Sequence, residues 1–275
     1  MFNVPVVVVI FNRPELALRL VEALELVKPG IIYLISDGPR AGVAGEEEKV
    51  AASRELFETL PWDCNVVTNF ASTNMGCMER ITSGLDWVFG QVDRAVILED
   101  DCIPGPSFFG FCEELLERYE TEEQVLSISG ARLAPVFDMS ADYSFSRYAF
   151  CWGWATWGRA WAKFDKDMGS YSEIRETRFL QTLLGGRRQA FYWRCIFDNV
   201  IQGKIDSWAY RWTYTHWVNG AVSAIPRVNL ISNRGIGLTA TNTKEKSEWL
   251  ENHAASLSFP LRASNDVSRD MRFDN

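Results

Sequence analysis

The chain has 275 residues, 47% of them hydrophobic, with 36 acidic against 28 basic side chains and a net charge of −8. That is length enough for a sizeable core, and the apolar content excludes intrinsic disorder. The negative balance argues against general nucleic-acid binding, and no apolar run approaches the ~20 residues of a membrane-spanning helix.

The chain opens on a continuous β-branched run, Val4–Phe11, of the kind that forms a strand buried on both faces. No basic region precedes it and it stops at Asn12-Arg13-Pro14, so a first strand is expected rather than a signal peptide. Glu15–Val27 is apolar at 16, 20, 23, 24 and 27, which predicts a helix closed by Pro29-Gly30. A second strand is predicted over Ile31–Ser36, an exposed charged helix over Gly45–Leu60 and a third strand over Asn65–Asn69. Then come a helix over Met78–Phe89, a strand over Ala95–Leu98, a helix over Phe108–Tyr119 and a strand over Val125–Ser129. This alternation predicts an α/β fold with a mostly parallel, Rossmann-like sheet flanked by helices.

After Gly130 the alternation fades. Cys151–Phe164 reads as an aromatic, shaped loop leading into a helix. Phe179–Gln202 is helical with a break at Gly185–Arg188, Trp208–Val218 is an aromatic helix and Ala221–Ile225 a short strand. Without an internal repeat or linker, one domain is expected, with 1–118 and 119–275 as its two halves. Residues 145–235 hold 13 basic against 6 acidic side chains and 19 of the 36 aromatics, so a basic surface sits inside an acidic chain. It would suit an anionic glycan, a lipid diphosphate or an acidic membrane; the plainer reading makes the aromatics core and the arginines solvated. Six cysteines without CxxC or Cys/His spacing imply neither zinc nor a disulfide framework. The cytoplasm is the expected compartment, with peripheral membrane contact left open.

The sharpest motif is AVILEDDCIP over 95–104, where an apolar run ends in Glu99, Asp100 and Asp101. Carboxylates at the end of a buried strand need a cation or donors, and oxygen-only ligands suit a hard ion such as Mg²⁺ or Mn²⁺ with positions open for phosphate. A solvated acidic turn is the alternative. At the end of the first strand, Arg13 places a planar guanidinium fork, suited to diphosphate, where a helix begins.

The segment LEDDCIPGPSFFGF resembles the Glu-Asp-Asp variant of the DXD motif in GT-A glycosyltransferases, particularly those like N-acetylglucosaminyltransferase I. It is also similar to bacterial proteins of that type, some of them hemolysin-activation-like. The resemblance runs in order over roughly Val4–Thr243 and implies a GT-A fold with an aromatic-rich acceptor half. It makes Asp101 the ligand of Mn²⁺ or Mg²⁺, with Glu99 and Asp100 contacting ribose, base or metal-bound water. Asn12-Arg13 matches a pair whose Arg contacts the nucleotide. Asp37 would accept from the base, usually uracil, although Asp-Gly-Pro is equally a turn. Asn74-Met75-Gly76 matches a segment closing over the nucleotide, so Asn74 or Arg80 would touch diphosphate or sugar; a helix N-cap is the other reading of Asn74.

Cys151–Trp161 resembles a Gly-Trp loop on the acceptor side, with Gly153 in the loop and Trp152, Trp154 and Trp157 as walls that stack on sugar. Ile205-Asp206-Ser207-Trp208 resembles the Trp-Asp-Asp-Trp segment carrying the catalytic base, which leaves Asp206 as the one carboxylate in that context. Its alternative is a helix N-cap before Trp208. The loop from Asn233 to Thr243 reads as a lid, with Arg234 closing on diphosphate. The implied activity is metal-assisted, inverting transfer of a sugar from a nucleotide-sugar, UDP-sugar foremost, to a glycan or lipid-linked acceptor. A sugar nucleotidyltransferase and a non-catalytic binding protein on the same fold are the rivals. The first would normally carry a Gly-rich loop and Lys after strand one, where this chain has FNRPE.

Overall fold

The computed structural model describes residues 2–133, 139–235, 254–263 and 266–274. Four strands, β1 (Val6–Ile10), β2 (Ile31–Ser36), β3 (Asn65–Phe70) and β4 (Arg94–Glu99), run parallel in the spatial order β3-β2-β1-β4. They are connected by α1 (Pro14–Glu25), α2 (Glu46–Glu55) and α3 (Cys77–Phe89). All five residues of β1 are buried, as its unbroken Val/Ile run requires. On α1, Ala17, Leu20, Val21 and Leu24 form the buried stripe at helical spacing.

The second half extends the same sheet. It comprises β5 (Cys102–Pro104), α4 (Phe108–Arg118), β6 (Val125–Ser129), β7 (Tyr143–Ser146), β8 (Trp154–Trp157), α5 (Gly158–Trp161), α6 (Tyr171–Arg175), α7 (Phe179–Leu184), α8 (Arg187–Ile201), α9 (Trp208–Val218), β9 (Val222–Pro226), β10 (Ile231–Asn233) and α10 (Met271–Asp274). The eight-stranded order is β3-β2-β1-β4-β8-β6-β9-β7, and β10 pairs separately with β5. The expected mostly parallel sheet flanked by helices is present, with an aromatic-rich second half.

Besides the short elements β5, β10, α6 and α10, two strands of the main sheet depart from the sequence expectation. The segment read as a loop contains β8, inserted antiparallel between β4 and β6 with all four of its residues buried. A strand covered on both faces shows no polar alternation, and two tryptophans with glycines beside them read as a loop. β7, antiparallel to β9, was not foreseen.

The main core covers both faces of the sheet, while a second cluster packs Met168, Tyr171, Leu180, Phe197 and Trp217 between α6, α7, α8 and α9. Helix α9 serves both, giving Trp208 and Trp212 to the first and Tyr214 and Trp217 to the second, so it is apolar on most sides. The chain leaves β1 toward β2 and returns on its other side as β4. This switch point opens a crevice at the carboxyl ends of β1 and β4, where open α/β sheets bind ligands.

Candidate active site

Arg13 follows β1, and Glu99, Asp100 and Asp101 end β4, so the switch point brings them together. The Arg13 guanidinium bridges the acids, with Nη2 on Asp100 Oδ1 and Nη1 3.0 Å from Asp101 Oδ2. Burial alone would pull its pKa down, but the two carboxylates outweigh that and hold it above the usual Arg value. Asp100 is buried and also accepts from the Phe11 amide at 3.4 Å. Its pKa is nevertheless raised, by burial first, against the pull of Arg13. Glu99 is raised too, by burial first and then by its two acidic neighbours. Among the described residues the Glu99 side chain has neither a hydrogen bond nor an ion pair.

The strand pair β5–β10 closes the site from one side. Asn233 lies opposite Cys102, and the Arg234 amide donates to the Asp101 carbonyl at 2.8 Å. Gly235 then passes so close that a Cβ there would overlap Asp101 Oδ2. The start of the expected lid is thus pinned against Asp101, with the Arg234 side chain exposed. The rest of that loop, from 236, lies outside the described residues.

The donor set fits a hard divalent ion. Three carboxylates share one guanidinium, and Glu99 has an oxygen pair with no described partner. No three or more His, Cys, Asp or Glu side chains form a ready-made metal cage among the described residues. The protein would therefore supply one or two carboxylates, as is usual where phosphate oxygens and water complete the shell of Mg²⁺.

Asp37, at the end of β2, is a structural hub. Its Oδ1 accepts from the amides of Gly38 (2.8 Å) and Met75 (2.9 Å), and its Oδ2 from the Gly76 amide (3.1 Å) and Asn74 Nδ2 (3.0 Å). A carboxylate offers about four lone-pair sites, so none is left for a nucleotide base. Asn74 also donates to the Gly38 carbonyl at 3.0 Å and is a strut of this loop, neither a helix cap nor a free ligand. Asn12 likewise donates to buried Glu46 at 2.8 Å. Arg80 is buried with its Nη2 on the Asn69 side-chain oxygen at 2.7 Å and backbone carbonyl at 3.1 Å, which holds it against β3.

Asp206 arrives from the loop between α8 and α9. It does not cap its own helix. Its Oδ2 and Oδ1 accept from the Cys77 and Met78 amides (3.1 and 3.3 Å), two orphan donors in the first turn of α3. The Cys77 thiol marks the convergence: burial, then Glu99, Asp206, Asp37 and Asp101, push its pKa up to about 12. Acids from the ends of β2 and β4 and from the α8–α9 loop thus all act on one thiol. Arg211, overlooked in the sequence, fixes that loop. It donates to the carbonyls of Ser207 (3.0 Å), Val200 (3.4 Å) and Lys166 (2.7 Å). Its place four residues after Ser207, one helical turn on, was the available signal.

The expected aromatic pocket is only partly at the surface. Trp154 and Trp157 are buried in the sheet, Trp154 stacked on Trp208 with centroids 5.3 Å apart and Trp157 Nε1 bonded to the Leu116 carbonyl at 3.1 Å. They are core, because β8 is a central strand. Gly153 is a packing glycine: φ is +57°, and a Cβ would strike the Ile231 side chain. Trp152 alone of the three tryptophans is partly exposed.

No protein-family model matches the sequence, and no curated protein aligns with it. Similar solved structures include a mannosyltransferase from Pyrobaculum calidifontis in complex with GDP-Man and Mn²⁺. It is 12% identical over 78% of this chain and 70% of that one, with a TM-score of 0.38. The galactosyltransferase LgtC in complex with donor and acceptor sugar analogs is 10% identical, over 62% and 64%, with a TM-score of 0.36. UDP-glucose pyrophosphorylase complexed with UDP-glucose is 11% identical, over 54% and 64%, with a TM-score of 0.31. The chain spans less than two thirds of the length of the last two. Likenesses this distant carry no argument about activity.

Proposed function

We propose that this chain is a GT-A-type glycosyltransferase that moves a sugar from a nucleotide-sugar, UDP-sugar foremost, to a glycan or lipid-linked acceptor with inversion. The observation that carries the reading is the acidic end of β4 at the switch point, where three carboxylates share the single guanidinium of Arg13. Mn²⁺ or Mg²⁺ bound by Asp101, with Glu99 and Asp100 beside it, would neutralise charge developing on the departing diphosphate.

Arg13 keeps the carboxylates in register and turns N–H groups toward the same oxygens, while Arg234 reaches them from the rim. Trp152 offers a ring face to the acceptor sugar. Asp206 takes the proton of the attacking hydroxyl as its oxygen bonds to the anomeric carbon and the bond to diphosphate breaks. Arg211 and the α3 amides hold that carboxylate in place.

A thermal-shift panel of UDP- and GDP-sugars with and without Mn²⁺ tests the reading. A ligand at about 100 times its Kd stabilises a protein by ~2.7 kcal/mol, a shift of several degrees. The expected result is such a shift with one nucleotide class, only when Mn²⁺ is present. Absence of any shift across the panel would contradict it.

A further inference from the structure

Helix α8 carries aromatic side chains on its outer face. Phe191 is 67% exposed, Tyr192 58% and Ile201 49%, while Trp193 and Phe197 turn inward to the second core. Cys195, one turn after Phe191 and Tyr192, is exposed on the same face. Soluble proteins seldom leave two neighbouring aromatics this open without a use for them.

The surrounding charge is the second observation. Residues 175–204 hold six basic side chains and two acidic ones in a chain whose net charge is −8. Both acids, Glu176 and Asp198, are paired with Arg175. Arg178, Arg187, Arg188 and Lys204 are exposed and make no ion pair among the described residues. Arg187 and Arg188 lie one turn before the aromatics, so cationic and apolar groups share one exposed face.

We propose that this face docks on an anionic lipid bilayer, with Phe191 and Tyr192 entering the headgroup boundary and Arg187 and Arg188 meeting lipid phosphates. Aromatics flanked by Arg and Lys at a helix surface are what interfacial binding requires, since apolar burial and attraction to anionic lipid add. The docking does not depend on the transferase reading. If both hold, the bilayer lies near the acceptor side, because the loop leaving α8 carries Asp206 five residues after Ile201.

Vesicle flotation of the full chain tests this. Vesicles of phosphatidylcholine alone are compared with vesicles holding about 30 mol% phosphatidylglycerol, at about 50 and about 500 mM salt. The wild type is expected to float with the anionic vesicles only, and at least ~10-fold less at high salt. Phe191→Ser/Tyr192→Ser should lose flotation by about the same factor, and Arg187→Gln/Arg188→Gln should lose its salt-sensitive part. All three proteins should melt within about 2 °C of one another, since the changed side chains are exposed. Equal flotation with neutral vesicles, or variants that float like the wild type, would overturn the proposal. So would a lipid-free dimer that only the Phe191/Tyr192 variant loses, because the occupant would then be a second copy of the chain.

Discussion

Asp206 joins two halves of the chain: it caps α3 through two amides, and its charge acts with those of Glu99 and Asp101 on the Cys77 thiol. Asp206→Asn keeps the shape and one acceptor oxygen but cannot take a proton. Transfer should fall about 10²–10⁴-fold while donor affinity stays within a few-fold, measured by single turnover and by separate donor titration. Near-normal transfer would place the base elsewhere. The cap is a lesser matter, worth ~1 kcal/mol when lost altogether. At this scale the sequence showed where the strand-end acids and Arg13 stand in the fold better than whom they touch. Glu99, Asp100, Asp101 and Arg13 were legible because strand-end acids and a helix-start Arg are local patterns. Their pairing was not, because Arg13 and Asp100 are 87 residues apart. Asp37 reads evenly as turn or ligand in the sequence, and its structural bonds to the Met75 and Gly76 amides, donors from 38 and 39 residues away, were not visible there.

Among the elements, β8 joins the halves. Gly153 precedes it with φ +57° and its missing Cβ facing Ile231 on β10, the strand that lines Asp101. Gly153→Ala should therefore cost ~2–4 kcal/mol, from left-handed strain and overpacking together. It should also weaken donor binding, since Ile231 is buried and can yield only by shifting β10. Denaturant unfolding checks the first, and a stable variant would remove this glycine's packing role. The parallel first half was legible because each strand and helix announces its own period. The second half was not: β8 takes its strand character from β4 and β6, which cover its polar groups, and no alternation marks it. The same burial moved Trp154 and Trp157 from expected pocket walls to core.

For the whole molecule, acid response follows from one buried imidazole. His216 donates from Nδ1 to the Trp212 carbonyl at 2.9 Å and accepts at Nε2 from Ser127 at 3.1 Å, so the fold holds it neutral. Burial pushes its pKa down to about 4. A depressed His takes up its proton in the unfolded chain first. Its contribution is fully present above about pH 6.5 and is lost as pH falls toward 4, about 3 kcal/mol in all. Glu99 and Asp100 act oppositely: raised acids stabilise the ligand-free protein at low pH and lose that contribution as pH rises through their elevated values. The pH slope of unfolding free energy should flatten in His216→Gln, whatever that change costs at neutral pH, and an unchanged slope would contradict the assignment. The central claim is that the acids of β4 hold a nucleotide through a divalent ion. Calorimetric titration of UDP into the wild type and Asp101→Asn, with and without Mn²⁺, tests it most directly. Asp101 shares Arg13 with Asp100 at a partly exposed pair, so Asp101→Asn should melt within ~1 kcal/mol of the wild type. The account predicts Mn²⁺-dependent binding in the wild type and a loss of about 100-fold or more in Asp101→Asn. Binding that is equal in the two proteins, or indifferent to Mn²⁺, would contradict it.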